Sequence, residues 1–292
     1  MPPPSPDQPA IAVIGGSGLY EIDGFHEDKH YEVETPFGNP SDSIIGGTLH
    51  GRTVFFLPRH GRGHTIAPHE INHRANVYAL RTLGVRWIIS AAAVGSLQER
   101  FEPRDVVLPS QFFDRSSQRA DHTFFGSGIV AHVSLAEPTS AQLRQLVGQS
   151  CSSLHKKYHS GGTYIQMDGP AFSTRAESET NRRHGFDVIG MTVLPEAKLA
   201  REAEIAFACM AMVTDYDCWR VSEDAVTVES VTAHLAANAD TARDVLAHVI
   251  PRIPEAPNWP EHSALGDAIV TPREHWTDEA IDRLQIIVNR FL

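Results

Sequence analysis

A chain of 292 residues with 41% hydrophobic side chains can bury a large core, and single α/β domains reach this length. Its 25 basic against 36 acidic side chains give a formal net charge of -11, which repels polyanions and disfavours a nucleic-acid or anionic-membrane role. Any phosphate it binds must meet a locally positive site.

The chain opens on Met1 to Pro9, with five prolines and no basic, apolar or cleavage region. This composition reads as a disordered leader rather than a signal peptide, with one domain expected over residues 10–292. Cys151, Cys209 and Cys218 are odd in number and form no C-x-x-C pair, so neither a disulfide framework nor a zinc cluster is indicated and a reducing, cytoplasmic setting follows. No apolar run approaches the roughly 20 residues that a membrane-spanning helix needs.

Short apolar runs predict strands at Ala10 to Ile14, Val54 to Leu57, Trp87 to Ser90, Val106 to Leu108, Thr163 to Met167, Asp187 to Ile189 and Ile205 to Val213. Between them, Ile71 to Leu83, Ala141 to Leu154 and Pro195 to Glu204 have helical period, the last with Pro195 at a tolerated first-turn position. This alternation is the signature of an α/β fold. Beyond Trp219, the residues Val228, Val231, Leu235, Ala242, Val245, Leu246 and Val249 form one apolar helical stripe, starting from a possible Thr227 cap and stopping at Pro251. Prolines 251, 254, 257 and 260 then predict an extended surface connection to a C-terminal helix from about Thr277.

Three strand ends share one chemistry. Ile11-Ala-Val-Ile-Gly-Gly-Ser-Gly-Leu19 runs a buried strand into glycines and Ser17, which lets backbone N–H groups approach an anion. A dinucleotide fingerprint would require glycine where Glu21 stands, so NAD binding does not fit. The second end carries Pro58-Arg-His-Gly-Arg-Gly-His64, whose Arg59 offers the planar fork suited to phosphate. The third is Ser90-Ala-Ala-Ala-Val-Gly-Ser96, small enough to leave backbone donors accessible. Together they predict an anion pocket beyond the strand C-termini, although the glycine turn alone reads equally as ligand-free and Arg59-His60-Gly61 alone reads first as a solvated basic turn.

Two other motifs carry possible chemistry. His69-Glu-Ile-Asn-His73 matches H-E-x-x-H, the zinc-hydrolase pattern, but Asn76 breaks the extended form and no third ligand is evident. The strand ending at Val213 opens into Thr214-Asp-Tyr-Asp-Cys-Trp219, where strand alternation would put Asp215 and Asp217 on one side. The alternative for these aspartates is a solvated capping loop.

With these motifs the sequence resembles the methylthioadenosine phosphorylases of the trimeric purine nucleoside phosphorylase superfamily. The matching segments are Ile14-Gly-Gly-Ser-Gly-Leu19, Thr35-Pro-Phe-Gly-Asn-Pro-Ser41, Arg59-His-Gly61, Gly169-Pro170, Phe172-Ser-Thr-Arg-Ala-Glu-Ser178, Met191-Thr192, Pro195-Glu196 and Thr214-Asp-Tyr-Asp-Cys-Trp219. The last is the most specific, because the resemblance implies asparagine at the Asp215 position in 6-oxopurine phosphorylases.

The resemblance implies a twisted mixed sheet flanked by helices in a single domain. It also implies a homotrimeric pentosyltransferase that converts 5′-deoxy-5′-methylthioadenosine and inorganic phosphate into adenine and 5-methylthioribose-1-phosphate, with no metal or other cofactor. By the same resemblance Ser17, Arg59, His60 and Thr192 hold phosphate, with a backbone donor from Ala93. Met191 packs on the ribose, and Phe172, Ser173, Asp215 and Asp217 surround the base. His132, Val228 and Val231 lie near the 5′-methylthio group, and a neighbouring subunit closes that pocket.

Several positions depart from the family pattern. Ala92 stands where a hydroxyl is frequent, Asp168 and Ala171 replace Glu and Arg, Gly190 replaces asparagine, and Thr232 replaces leucine. The expected chemistry is that protonated Asp215 donates to purine N7 while Asp217 accepts from the 6-amino group. The readings left open are a 6-oxopurine or methylthioinosine phosphorylase, a zinc hydrolase built on His69 and His73, and an inactive nucleoside binder suggested by Ala92.

Overall fold

The computed structural model describes residues 9–16, 19–117, 119–220 and 228–292, the side chains of residues 228–233 excepted. Ser17, the Thr227 cap, nearly all of the expected leader, and the side chains of Val228, Val231 and Thr232 therefore lie outside the described residues.

The strands are β1 (Ala10–Gly15), β2 (Phe25–Tyr31), β3 (Ile44–Leu49), β4 (Arg52–Pro58), β5 (Val85–Ser96), β6 (Val106–Leu108), β7 (Gln111–Asp114), β8 (Tyr158–Ser160), β9 (Thr163–Gln166), β10 (Val188–Gly190) and β11 (Ala206–Asp215). They join in one mixed sheet of order β2-β3-β4-β1-β5-β10-β9-β7, with β11 pairing both β5 and β6, and β8 pairing β6. Successive residues of β1 serve opposite faces. Ala10, Ala12 and Ile14 join one core cluster, and Ile11 and Val13 join the other.

Helices cover both faces. On one side lie α1 (His73–Thr82), α4 (Val193–Glu202) and α6 (Asp278–Val288), contributing Val77, Leu80, Ala197, Ala200, Leu284 and Ile287. On the other, α2 (Ala141–Ser153) and α5 (Val228–Val249) bring Leu143, Val147, Ala242, Val245, Leu246 and Val249 against the sheet. The buried half of the predicted α5 stripe is therefore core, whereas Leu235 is 42% exposed. Among the described residues no helix is long and apolar enough to cross a membrane.

Every strand expected from an apolar run is present, β6 with the expected ends and the others with shifted ones. Polar edge strands such as β2, with its largely exposed Phe-His-Glu-Asp-Lys-His-Tyr, do not announce themselves by apolarity. The short helix α3 (Arg175–Arg183) was also not expected, although its Thr174–Glu177 capping box is visible in the sequence. Two expectations need correction. Helix α4 begins at Val193, so Pro195 is its third residue, and Glu204 lies beyond the end in a left-handed conformation (φ 55°). The proline-rich stretch is not simply extended: 3-10 turns at Ile250–Arg252 and Pro260–Ser263 bury Ile253, Glu261 and His262.

Candidate active site

The site lies where the long strand β5 changes neighbours. Its parallel ladder with β1 ends at Ile14↔Ser90, and its antiparallel ladder with β10 occupies only Gly95 and Ser96. On the opposite edge β11 stays paired from Trp87 to Gly95. Residues 91–94 thus present one edge free of strand pairing, and the glycine and arginine ends of β1 and β4 arrive beside it. Ala91–Ala93 lie within β5 rather than at a strand end as expected, so the gap in pairing is what makes their backbone groups accessible.

A cleft of about 290 Å³ opens over this gap. A second lobe of about 280 Å³ shares Arg59, His60, His64, Ala92, Ala93 and Leu235 with it and reaches Gly16.

Arg59 is only 3% exposed. Its Nε and Nη2 donate to Glu196, Nη2 also to Ser90 Oγ at 2.7 Å and towards Ile14 O at 3.4 Å, and Nη1 to Ala91 O at 3.1 Å. Ser90 Oγ in turn donates to Glu196 Oε2 at 2.7 Å. Burial works against the charge of Arg59, but the Glu196 carboxylate offsets this and holds the guanidinium pKa above its ordinary value. Among the described residues, one Nη1 hydrogen has no acceptor. Glu196 was matched in the sequence without a role; the acid in the otherwise apolar first turn of α4 was its signal.

His60 follows Arg59. Its Nδ1 lies 2.9 Å from the Ile66 carbonyl, and its ring stacks on His64 at 4.2 Å. Burial, with Arg59 and His64 nearby, pushes the His60 pKa down to about 4 despite the Ile66 bond. Thr192 lines the same cleft at the N-cap of α4, where its hydroxyl makes no capping bond and the helix N-terminus favours an anion. Ala93 lines both lobes.

At the other end of the cleft stand Asp215 and Asp217. They meet, but by a turn and not by strand alternation. Strand β11 stops at Asp215, and Asp217 folds back in a left-handed conformation (φ 51°), its N–H donating to Asp215 Oδ1 at 2.8 Å. Thr214 Oγ1 donates to Asp215 Oδ2 at 2.7 Å and has Val94 O at 3.2 Å as a second acceptor. Burial raises the pKa of both carboxyls above the ordinary carboxylate value. Asp217 Oδ2 is shielded from solvent and accepts no well-formed hydrogen bond among the described residues, with the Ser173 and Ser178 hydroxyls close enough to the carboxyl to work against the effect of burial. Gly95 faces the pair, and a Cβ there would lie 3.2 Å from Asp215 Oδ1 and 3.3 Å from Asp217 Cβ.

Phe172, Ser173 and Met191 also line the cleft, with Phe172 60% exposed. His132 does not. It lines a separate cavity of about 460 Å³ with Val130, Val133, Lys198 and Glu202. Val228 and Val231 belong to α5, but their side chains are outside the described residues. Of the departures, Gly190 has a visible reason, because a Cβ there would lie 2.0 Å from the Tyr164 hydroxyl. Asp168 accepts from the Ser117 N–H and hydroxyl outside the cleft.

The H-E-x-x-H match does not form its helical face. His69 and Glu70 lie in a 3-10 turn, Asn72 caps α1, and His73 is the first helical residue. His69 is exposed and His73 buried, and among the described residues no group of three His, Cys, Asp or Glu side chains could hold a metal ion. The zinc-hydrolase reading is thereby set aside.

A family model described as "Phosphorylase superfamily" matches residues 10–251. The S-methyl-5'-thioadenosine phosphorylase of Geobacter sulfurreducens is 47% identical over 97% of this chain and 99% of its own length. The chain belongs to the S-methyl-5'-thioadenosine phosphorylase family. A crystal structure of a methylthioadenosine phosphorylase from an antarctic soil metagenomic library superposes with a TM-score of 0.91 at 45% identity, covering 96% of this chain and 99% of that one. The Schistosoma mansoni methylthioadenosine phosphorylase in complex with adenine gives 0.80 at 36% identity, covering 84% and 91%. The single-domain phosphorylase fold expected from the sequence is therefore this protein's fold.

Proposed function

We propose that this protein splits 5′-deoxy-5′-methylthioadenosine with inorganic phosphate, releasing adenine and 5-methylthioribose-1-phosphate. The observation that carries this reading is the pair of half-buried aspartates at the head of the cleft, one of them with a carboxylate oxygen that accepts no well-formed hydrogen bond among the described residues. A bound adenine offers that oxygen its 6-amino N–H; a 6-oxopurine does not. Family membership supports the same substrate.

In this reading Asp215, whose burial favours its protonated form, donates to purine N7 as the glycosidic bond breaks, and Asp217 accepts from the amino group. The Thr214 hydroxyl supports either protonation state of Asp215, since it can donate to the carboxylate or turn to Val94 O. Phosphate takes the opposite end, among Ser17, Arg59, His60, Thr192 and the Ala93 N–H. There its charge stabilises the cationic ribosyl carbon before it attacks C1′. Phe172, Ser173 and Met191 wall the nucleoside.

His132 enters this scheme from a neighbouring subunit. In its own chain it lies in another cavity, beside the exposed apolar Val130 and Val270, which a homotrimer would cover. Light scattering that returned a stable monomer with full activity would remove both the trimer and this role for His132. Cys151 and Cys209 are buried free thiols, which suits a reducing cytoplasm.

The deciding assay is incubation with methylthioadenosine, adenosine and methylthioinosine, with and without phosphate, identifying the released base. Adenine release from methylthioadenosine only when phosphate is present is the expected outcome. Preferential release of hypoxanthine from methylthioinosine would instead establish the 6-oxopurine reading.

A further inference from the structure

The pocket assigned to phosphate contains less positive charge than its residue types suggest. The guanidinium of Arg59 is already paired with Glu196, so that buried unit is neutral as a whole. The second candidate cation is His60, and its hydrogen bonding fixes its tautomer. Nδ1 lies 2.9 Å from a backbone carbonyl, which only accepts, so the ring proton sits on Nδ1. In the neutral ring Nε2 is then a bare acceptor, and burial with Arg59 and His64 beside it keeps the ring neutral at physiological pH.

An acceptor in an anion site selects among anions. A phosphate dianion still carries a P–OH and can donate it to Nε2, while its other oxygens take the remaining Arg59 hydrogen, the Ala93 N–H and the Thr192 hydroxyl. Sulfate of the same shape and charge carries no proton at neutral pH. It would set an oxygen lone pair against the nitrogen lone pair, leaving a buried acceptor unsatisfied.

We propose that neutral His60 acts as a hydrogen-bond acceptor for a protonated phosphate oxygen, and that this acceptor makes the site selective for phosphate over sulfate. This rests on the assignment of the Arg59 and His60 end of the cleft to phosphate. Among the described residues, the charged and titratable groups acting on His60 or acted on by it are Arg59 with its partner Glu196, His64 stacked on its ring, and His73 on α1. His73 is itself buried and held neutral, with its pKa pushed down to about 3, so it supplies no charge that would reverse this logic.

The test is the phosphate KM and the sulfate inhibition constant for methylthioadenosine phosphorolysis, measured in the wild type and in His60→Gln. In the wild type near pH 8, sulfate should bind on the order of tenfold or more weaker than phosphate. It should gain affinity as the pH falls and His60 protonates. In His60→Gln, whose amide N–H can donate to either ion, the two constants should converge to within a few-fold. Sulfate binding as tightly as phosphate in the wild type would overturn the proposal, as would a variant that weakens both ions equally. If His60→Gln alters neither constant, the phosphate site lies elsewhere and the assignment of this end of the cleft falls with it.

Calorimetry of wild-type enzyme in two buffers of different ionisation enthalpy gives an independent reading. Sulfate binding at about pH 5, just above the lowered pKa of His60, should be coupled to uptake of part of a proton, because the ion favours the protonated ring, and His60→Gln should abolish that uptake. Sulfate binding at about pH 5 without proton uptake in the wild type would refute the acceptor role.

Discussion

Arg59, at the end of β4, and Glu196, in the first turn of α4, form a buried fork-to-carboxylate pair in which the side chains are 3% and 1% exposed. Each charge is tolerated away from water only because the other is present. Glu196→Gln should therefore lower unfolding stability by about 3–5 kcal/mol, whereas Arg59→Met combined with Glu196→Leu should cost less than the single change. Urea denaturation of the three proteins is the check, and an unchanged midpoint in the single variant would show that the pair is dispensable.

The raised pKa of Asp215 has a kinetic sign. A carboxyl that holds its proton longer is competent as an acid at low pH and loses that competence as pH rises through its shifted pKa. Asp215→Asn should reduce methylthioadenosine turnover on the order of 100-fold or more and remove the alkaline limb governed by this group. Wild-type turnover in the variant would exclude Asp215 from the reaction.

Under the proposed binding mode, Asp217→Asn would replace the acceptor for the 6-amino group with an amide that can turn its N–H there. Its effect should be on base preference more than on fold. The ratio of kcat/KM for methylthioadenosine over methylthioinosine should fall by about tenfold or more, the scale of one charged hydrogen bond. A ratio identical to wild type would place Asp217 away from the base.

Gly190 and Tyr164 occupy space that only one of them can use. A Cβ on Gly190 would stand 2.0 Å from the Tyr164 hydroxyl and 2.7 Å from Cζ, and the Tyr164 ring is fully buried. Gly190→Ala should cost about 1–3 kcal/mol by overpacking, and adding Tyr164→Phe should return part of it. Thermal unfolding of the single and double variants separates this from a general loss of packing, which the second change would deepen.

Glu202 on α4 accepts from the Phe124 N–H and the Thr123 hydroxyl, both at 2.7 Å, and burial pushes its pKa up to about 7. A raised carboxyl pKa means that the folded state binds the extra proton. Its stabilising contribution is present below the unfolded-state value and is lost as pH rises through about 7. The fall in Tm from about pH 5 to about pH 8 should thus be smaller in Glu202→Gln than in wild type. Parallel pH profiles would show that Glu202 does not titrate there.

The strands that feed the site were legible because they are buried on both faces and read as continuous apolar runs, as in Ala10–Gly15 and Ala206–Asp215. Polar β2 and the nine-residue α3 gave no apolar run to find. Arg59, His60 and the two aspartates were singled out by residue type at strand ends. Their partners were not: Glu196 is 137 residues from Arg59 and is brought to it by packing of α4 on the sheet.

The sequence by itself determined the α/β alternation, the family, and which polar side chains stand at the mouths of buried strands, because apolar period and glycine spacing are local properties of the chain. Tertiary structure alone decided the gap in the pairing of β5, the turn that brings Asp217 back onto Asp215, the neutralisation of Arg59 by Glu196, and the separation of His132 from the cleft. Each of these depends on which distant segments share an edge or a buried volume, and hydrogen-bond satisfaction and desolvation act on such neighbours regardless of their separation along the chain.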